Sequence, residues 1–283
     1  MSMLQALVLG AIQGATEFIP VSSSGHLTLL PWLFGWQFDP VLKNAFDVMA
    51  HWGTLVAVGA VFWRDLVALV RGGLWTLDGL RVGGLNGFRA RLQQDVEGRL
   101  AWLLVLGSIP AAVLGLLFES FFESLFGTPA LVSLLMIVTA GLLAFSEWYG
   151  RRGRVLRDLS WSNALRIGLG QAVAIAPGIS RSGATIASGL LGGLDRAEAA
   201  RFSFLLSTPV ILGAGVWQLK DLFESAGWQA GLAPMLVGLG VSAVVGYASI
   251  RFLLAYLRQH RLYPFAGYCL LVGVVGLLVS FFR

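Results

Sequence analysis

The sequence predicts an all-α polytopic membrane protein built as an inverted-topology repeat, with about six transmembrane helices and two re-entrant helical hairpins. Three observations carry this. Hydrophobic residues make up 57% of the 283 positions, charged residues 12%, and the mean hydropathy is +0.77; a soluble surface needs far more charge, so the apolar excess must face lipid. The long apolar runs approach the ~20 residues that span a bilayer as a helix and do not alternate with the period of two that a barrel strand shows. Two interrupted segments resemble each other at a fixed offset.

The elements follow in order. An interrupted apolar segment covers about 3–34 and spans follow near 44–63, 100–118 and 130–148. A second interrupted segment covers 164–193, with spans near 202–219, 233–251 and 264–282. The stretch 64–99 reads as a polar, Gly-rich loop with some surface helix. No low-complexity linker divides the chain, so residues 1–283 are expected to form one membrane domain with pseudo-repeats of about 1–150 and 151–283. The segment before Lys43 has no Lys or Arg, unlike the basic start of a cleavable signal, and is expected to stay on the protein. Cys269, the single cysteine, lies in an apolar run.

The net charge of +5 does not point to nucleic acid, because its distribution is that of membrane loops. Of the 20 basic residues, 16 fall in 64–99, 149–166, 194–201 and 251–263. Lys43, Lys220 and Arg283 lie in the alternate connections with Asp39, Glu119, Glu123, Asp221 and Glu224. Positive residues stay cytoplasmic, so both termini and the loop 119–129 should be periplasmic. Trp32, Trp36 and Trp228 read as interfacial anchors. Arg181 alone lies inside an interrupted segment.

An offset of 158 takes Gln13 to Gln171, Ser22 to Ser180, Ser24 to Ser182 and Gly25 to Gly183. A weaker offset of 131 takes Gly107 to Gly238 and Gly115 to Gly246. Each half then holds one re-entrant segment and three spans, an odd number that inverts the second half. Inverted repeats with broken helices put a binding site where the breaks meet.

The first break contains Gln13, Glu17, Pro20, Ser22, Ser23, Ser24, Gly25 and His26; the second contains Pro177, Gly178, Ser180, Arg181, Ser182, Gly183 and Thr185. Pro20 disfavours helix at Ile19. The hydroxyl-rich turns can cap the following helices, whose free N–H groups and dipoles suit an anion. A carboxylate and a guanidinium at bilayer depth cost several kcal/mol unless paired or wetted. The structural alternatives are a plain ion pair for Glu17 and Arg181, a loop hydrogen bond for His26, and capping for the serines. Gln13 and Gln171 fit packing or ligand binding equally well. Asp47 and His51, four apart, form a further polar pair.

Together the groups suit the gripping and cleaving of a phosphate ester or anhydride. Arg181 would hold phosphate and stabilise charge. His26 or Glu17 would act as general base or acid. Ser23 is the expected nucleophile, with water as the alternative. Glu17 could instead hold a divalent cation. No Walker lysine motif, HExxH or CxxC occurs.

The segment Gln13-Gly-Ala-Thr-Glu17-Phe-Ile-Pro-Val-Ser-Ser-Ser-Gly-His26 and the segment Pro177-Gly-Ile-Ser-Arg181-Ser-Gly-Ala-Thr185 resemble the two signature motifs of the undecaprenyl-diphosphate phosphatase family, the bacitracin-resistance proteins. The likeness covers nearly the whole chain, including the stretch from Phe46-Asp47 to Thr54. It implies a bacterial inner-membrane enzyme that converts undecaprenyl diphosphate to the monophosphate, recycling the peptidoglycan lipid carrier. It also implies inverted repeats with two re-entrant hairpins. By position, the family's essential glutamate falls on Glu17, its serine on Ser23, its histidine on His26 and its arginine on Arg181. Substrate-binding roles extend to Gln13, Ser22, Ser24, Gly25, Gln171, Ser180, Ser182 and Thr185. The family's divalent cation, magnesium or calcium, would be held at Glu17. Gln13 departs from the family's E/Q-x-x-x-E pattern in leaving one carboxylate rather than two, which weakens a metal site built from the pair. The partners implied are a polyprenyl diphosphate lipid and the bilayer, with assembly of several copies left open. The rival reading is a flippase or transporter of the lipid phosphate, since broken helices in inverted repeats typify transporters.

Overall fold

The computed structural model describes residues 1–224 and 231–282. Trp228 and Arg283 lie outside these residues, and the side chains of Glu123, Lys220, Asp221 and Glu224 are likewise outside the description. The described chain is helical: α1 (Met3–Phe18), α2 (Ser23–Phe34), α3 (Pro40–Gln94), α4 (Val96–Leu117), α5 (Glu119–Phe126), α6 (Pro129–Tyr149), α7 (Trp161–Val173), α8 (Arg181–Leu191), α9 (Arg196–Glu224), α10 (Leu232–Leu257) and α11 (Tyr263–Phe282). A short 3₁₀ turn, Leu156–Asp158, precedes α7. Among the described residues, six helices (α3, α4, α6, α9, α10 and α11) are long and apolar enough to cross a membrane. Their outward residues include Val244, Leu271 and Phe281, all well exposed, as a lipid-facing surface requires.

Each hairpin starts and breaks for local reasons. Ser2 caps α1 in a reciprocal capping box with Gln5. Pro20 follows the last residues of α1, and Ile19 turns to an extended conformation. The Ser22 hydroxyl then accepts from Gly25 N to open α2. In the second hairpin Ser160 caps α7, and the Ser180 hydroxyl accepts from Gly183 N to open α8. The Ser22–Gly25 and Ser180–Gly183 caps are the same bond displaced by 158 residues.

Packing between the halves repeats the same way. α1 lies on α10, and α7 lies on α4. Gly10 meets Gly238, where an added Cβ would sit 2.9 Å from the Gly238 carbonyl oxygen, and Gly168 presses on Gly107. The 158 offset relates Gly10 to Gly168, and the 131 offset relates Gly107 to Gly238. The two contacts are therefore one contact exchanged between the halves. Small residues allow this approach where apolar burial gives helices no advantage over lipid.

The stretch 64–99, expected as a polar, Gly-rich loop with some surface helix, is almost wholly helical. α3 bends at Phe62, continues, and turns back at Gly83 and Gly84, where φ reaches 57° at Gly84. Arg91 then donates to the Trp75 carbonyl at 2.6 Å and to Asp78 at 2.8 Å, and Trp102 donates to Thr76 at 2.8 Å. The glycines here permit close packing of one helical arm on another, which composition alone does not distinguish from a loop.

One buried carboxylate ties an entire end of the bundle. Glu147, at the end of α6, accepts from Arg152 at 2.5 Å, from Arg196 at the start of α9, and from Leu262 N between α10 and α11 at 3.2 Å. These helix ends therefore share one face, and it carries the basic loops. Beneath the breaks, Phe204 packs edge-on to Phe18 at 5.3 Å and against Phe62 at 6.3 Å, setting α9 under the end of α1.

Candidate active site

The two breaks meet at Glu17. Its Oε2 accepts from Ser23 Oγ at 2.7 Å and from Gln13 Nε2 at 3.0 Å. Its Oε1 accepts from Arg181 Nη2 at 2.5 Å. Gln13 and Glu17 share a face of α1 one turn apart, Ser23 opens α2, and Arg181 opens α8. The carboxylate is 6% exposed, and these donors offset the cost of burying its charge. Arg181 Nη1 also reaches the Ser203 carbonyl at 3.4 Å, while the Thr185 and Ser203 hydroxyls share a 2.6 Å hydrogen bond.

The turns are laced together. Gly178 N donates to Ser24 Oγ at 3.4 Å, and Ser182 Oγ donates to the Ile19 carbonyl at 3.4 Å. Within each turn Ser22 contacts Ser24 at 3.3 Å, and Ser180 contacts Ser182 at 3.2 Å. Ser22 is the one non-glycine residue with positive φ among the described residues, at 71°, a strained position that the surrounding bonds hold. Gly25 lies against Met136, where a Cβ would come within 3.0 Å of the sulfur.

His26 turns elsewhere. Its Nδ1–H donates to the Ser22 carbonyl at 2.7 Å, so in the neutral ring Nε2 accepts from the Tyr268 hydroxyl at 2.8 Å. The two rings stack at 5.6 Å. Ser23 thus has Glu17, not His26, as its hydrogen-bond acceptor. Gln171 also points away: its amide lies 3.5 Å from the Gly107 carbonyl on α4.

Three residues join the site with no role assigned by the sequence: Thr139, Cys269 and Tyr268. Thr139 on α6 accepts from Ser180 N at 3.1 Å and donates to the Gly178 carbonyl at 3.0 Å. On α11, the Cys269 thiol lies 3.7 Å from the Pro20 carbonyl, the position equivalent to Gly178 by the 158 offset. A hydroxyl and a thiol thus hold the same carbonyl in the two halves. Tyr268, beside it, holds His26. No sequence pattern marks residues that reach a break from a distant helix.

His51, paired with Asp47 in the sequence reading, proves different. Asp47 forms its ion pair with Lys43, and His51 donates to the Asp47 backbone carbonyl at 2.7 Å. One helical turn on, the imidazole reaches the Asp47 backbone carbonyl, while the flexible Lys43 ammonium takes the Asp47 carboxylate. His51 Nε2 faces Glu17 Oε2 at 3.7 Å, an ion pair when the ring is protonated.

This donor set does not fit a resident cation. Glu17 is the one carboxylate between the breaks, and its oxygens already accept from a guanidinium, a hydroxyl and an amide. No group of three or more His, Cys, Asp or Glu able to hold a metal occurs among the described residues. The arrangement of positive charge, hydroxyls and helix starts suits an anion instead.

Fold and site together define a polytopic α-helical membrane protein whose two broken hairpins bring a carboxylate, a guanidinium and hydroxyl groups to one point. Residues 6–275 match the family described as bacitracin resistance protein BacA, and the chain belongs to that family. Relatives named undecaprenyl-diphosphatase include that of Moorella thermoacetica, 43% identical over the full length of both chains. Those of Methanosphaera stadtmanae and Geobacter metallireducens are 40% and 42% identical, each covering 99% of both chains.

Proposed function

We propose that this protein hydrolyses undecaprenyl diphosphate to undecaprenyl phosphate and inorganic phosphate, recycling the peptidoglycan lipid carrier and conferring bacitracin resistance. The observation that carries the reading is Glu17, bonded at once to Ser23 of one break and Arg181 of the other. Full-length similarity to proteins named for this activity supports the substrate.

In the proposed reaction Ser23 Oγ attacks the terminal phosphorus as its proton passes to Glu17 Oε2. The Oγ–P bond forms, the anhydride P–O bond breaks, and undecaprenyl phosphate leaves. Glu17 hands that proton to the departing undecaprenyl phosphate and is again a carboxylate. Water then attacks the phosphoserine phosphorus, giving a proton to Glu17; the Ser23 Oγ–P bond breaks, Glu17 returns the proton to Ser23 Oγ, and inorganic phosphate departs. Arg181 has five donors; one bonds Glu17, and others can meet the phosphate oxygens as charge develops. The N–H groups opening α2 and α8 face the same anion, with Ser22, Ser24, Gly25, Ser180 and Ser182 shaping the turns around it. His26, held by Ser22 and Tyr268, is a positioning residue in this scheme. Gln13 fixes the second side of Glu17 Oε2. Thr185 supports the start of α8 through Ser203, and Gln171 supports α7 against α4.

A divalent cation enters the proposal only as a companion carried by the diphosphate oxygens, not as a ligand of Glu17, and no step depends on it. The cell location proposed is the bacterial inner membrane with the site open to the periplasm, from the one-sided basic loops. The transporter alternative draws no support from the named relatives. Phosphate release from undecaprenyl diphosphate by the purified protein in detergent tests the proposal; a well-folded preparation that releases none overturns it.

A further inference from the structure

The basic face carries a cleft that the Glu17 site does not use. About 260 Å³ in volume, it is lined by Arg151, Arg152, Arg154 and Arg166 with Asn163 and Gly192, and no carboxylate lines it. Elsewhere in the described chain arginines pair with acids: Arg91 with Asp78, Arg196 with Glu147 and Arg201 with Asp65. In the cleft only Arg152 does so, through Glu147. Arg154 bonds the Gly192 carbonyl at 3.3 Å and Arg166 bonds Asn163 at 3.4 Å, both neutral acceptors. Asp195, which follows the Arg154–Leu194 β-bridge that shapes the loop, accepts from Gly153 N at 3.0 Å. Guanidinium groups gathered in one concavity repel one another unless an anion sits among them, and their planar forks match phosphate oxygens.

The position of the cleft selects the anion. It lies at the open end of the second hairpin, between the start of α7 and the end of α8, with exposed Leu191 in its wall. The loop that supplies three of the arginines leaves α6 directly after Trp148 and Tyr149, which are 76% and 68% exposed. Exposed aromatic residues at the end of a span mark the headgroup level of a bilayer, and basic pockets at that level bind anionic lipid headgroups. We propose that this cleft binds the phosphate of an anionic phospholipid of the leaflet on the basic side. The inference is independent of the hydrolase reading, and its readout is lipid binding.

The test is competition of phosphatidylglycerol with phosphatidylcholine for the purified full-length protein, read by native mass spectrometry. The protein is expected to prefer phosphatidylglycerol. A triple Arg151→Ala, Arg154→Ala, Arg166→Ala variant should lose that preference by about tenfold or more. The triple Arg251→Ala, Arg258→Ala, Arg261→Ala variant removes the same charge from the same face outside the cleft and should keep the preference within about twofold. If the cleft variant does not fold, Arg151→Lys, Arg154→Lys, Arg166→Lys keeps the charge but removes the forks, and should lower the preference several-fold. Equal losses in both alanine triples, an unchanged cleft variant, or occupancy by inorganic phosphate without lipid preference would each overturn the assignment.

Discussion

Ser23 donates its hydroxyl proton to Glu17 Oε2 at 2.7 Å across the turn that Pro20 makes, joining the last turn of α1 to the first residue of α2. That contact orders the candidates for proton transfer: the carboxylate already touches the hydroxyl, whereas both ring nitrogens of His26 are engaged elsewhere. Hydrolysis through Ser23 should proceed with retention of configuration at a chirally labelled phosphorus, because two in-line displacements restore it. Inversion, or substantial turnover by Ser23→Ala, would assign the attack to water and leave Ser23 as a phosphate ligand.

Glu17→Gln and Arg181→Ala should each lower phosphate release at least about a hundredfold, since each removes charge that the transition state needs. Folding is to be checked by size-exclusion chromatography alongside the kinetics. Near-normal turnover by either well-folded variant would contradict the proposed reaction.

His51→Gln is expected to slow phosphate release by roughly tenfold to a hundredfold, because the ring faces the working oxygen of Glu17 at 3.7 Å. A purely structural role would instead lower the melting temperature and leave turnover per folded molecule unchanged.

Thr139→Val should destabilise the protein by about 1–3 kcal/mol, since it strips the buried Ser180 N–H and Gly178 carbonyl of a partner while keeping the side chain's shape. Thermal unfolding in detergent measures this. The Gly178 turn positions Arg181, so activity should fall as well; a variant equal to the parent in both respects would deny Thr139 its bracing role.

Both termini and the loop 119–129 are expected to face the periplasm. Ser120 is exposed and the single native cysteine, Cys269, is buried, so a Ser120→Cys variant reports cleanly to an impermeant thiol reagent. Labelling in intact cells is the expected result. Labelling only after lysis would reverse the topology.

The amino-acid order alone determined the helical membrane class, both interrupted segments and the six spans found among the described residues, and it singled out Glu17, Ser23 and Arg181 as candidates, because each leaves a local or compositional mark: apolar length, a proline at the break, a charge where charge is costly. Even the exchanged glycine contacts were latent in the two offsets. The tertiary structure decided what distant helices contribute. It turned the glycines of 64–99 into packing surfaces, brought His51 to Glu17 and Tyr268 to His26, sent Gln171 to α4, and supplied Thr139 and Cys269 to the two break carbonyls. Spacing along one helix specifies a face but not the helix that will meet it, and a hydroxyl or thiol in an apolar run carries no sign of the backbone group it will reach.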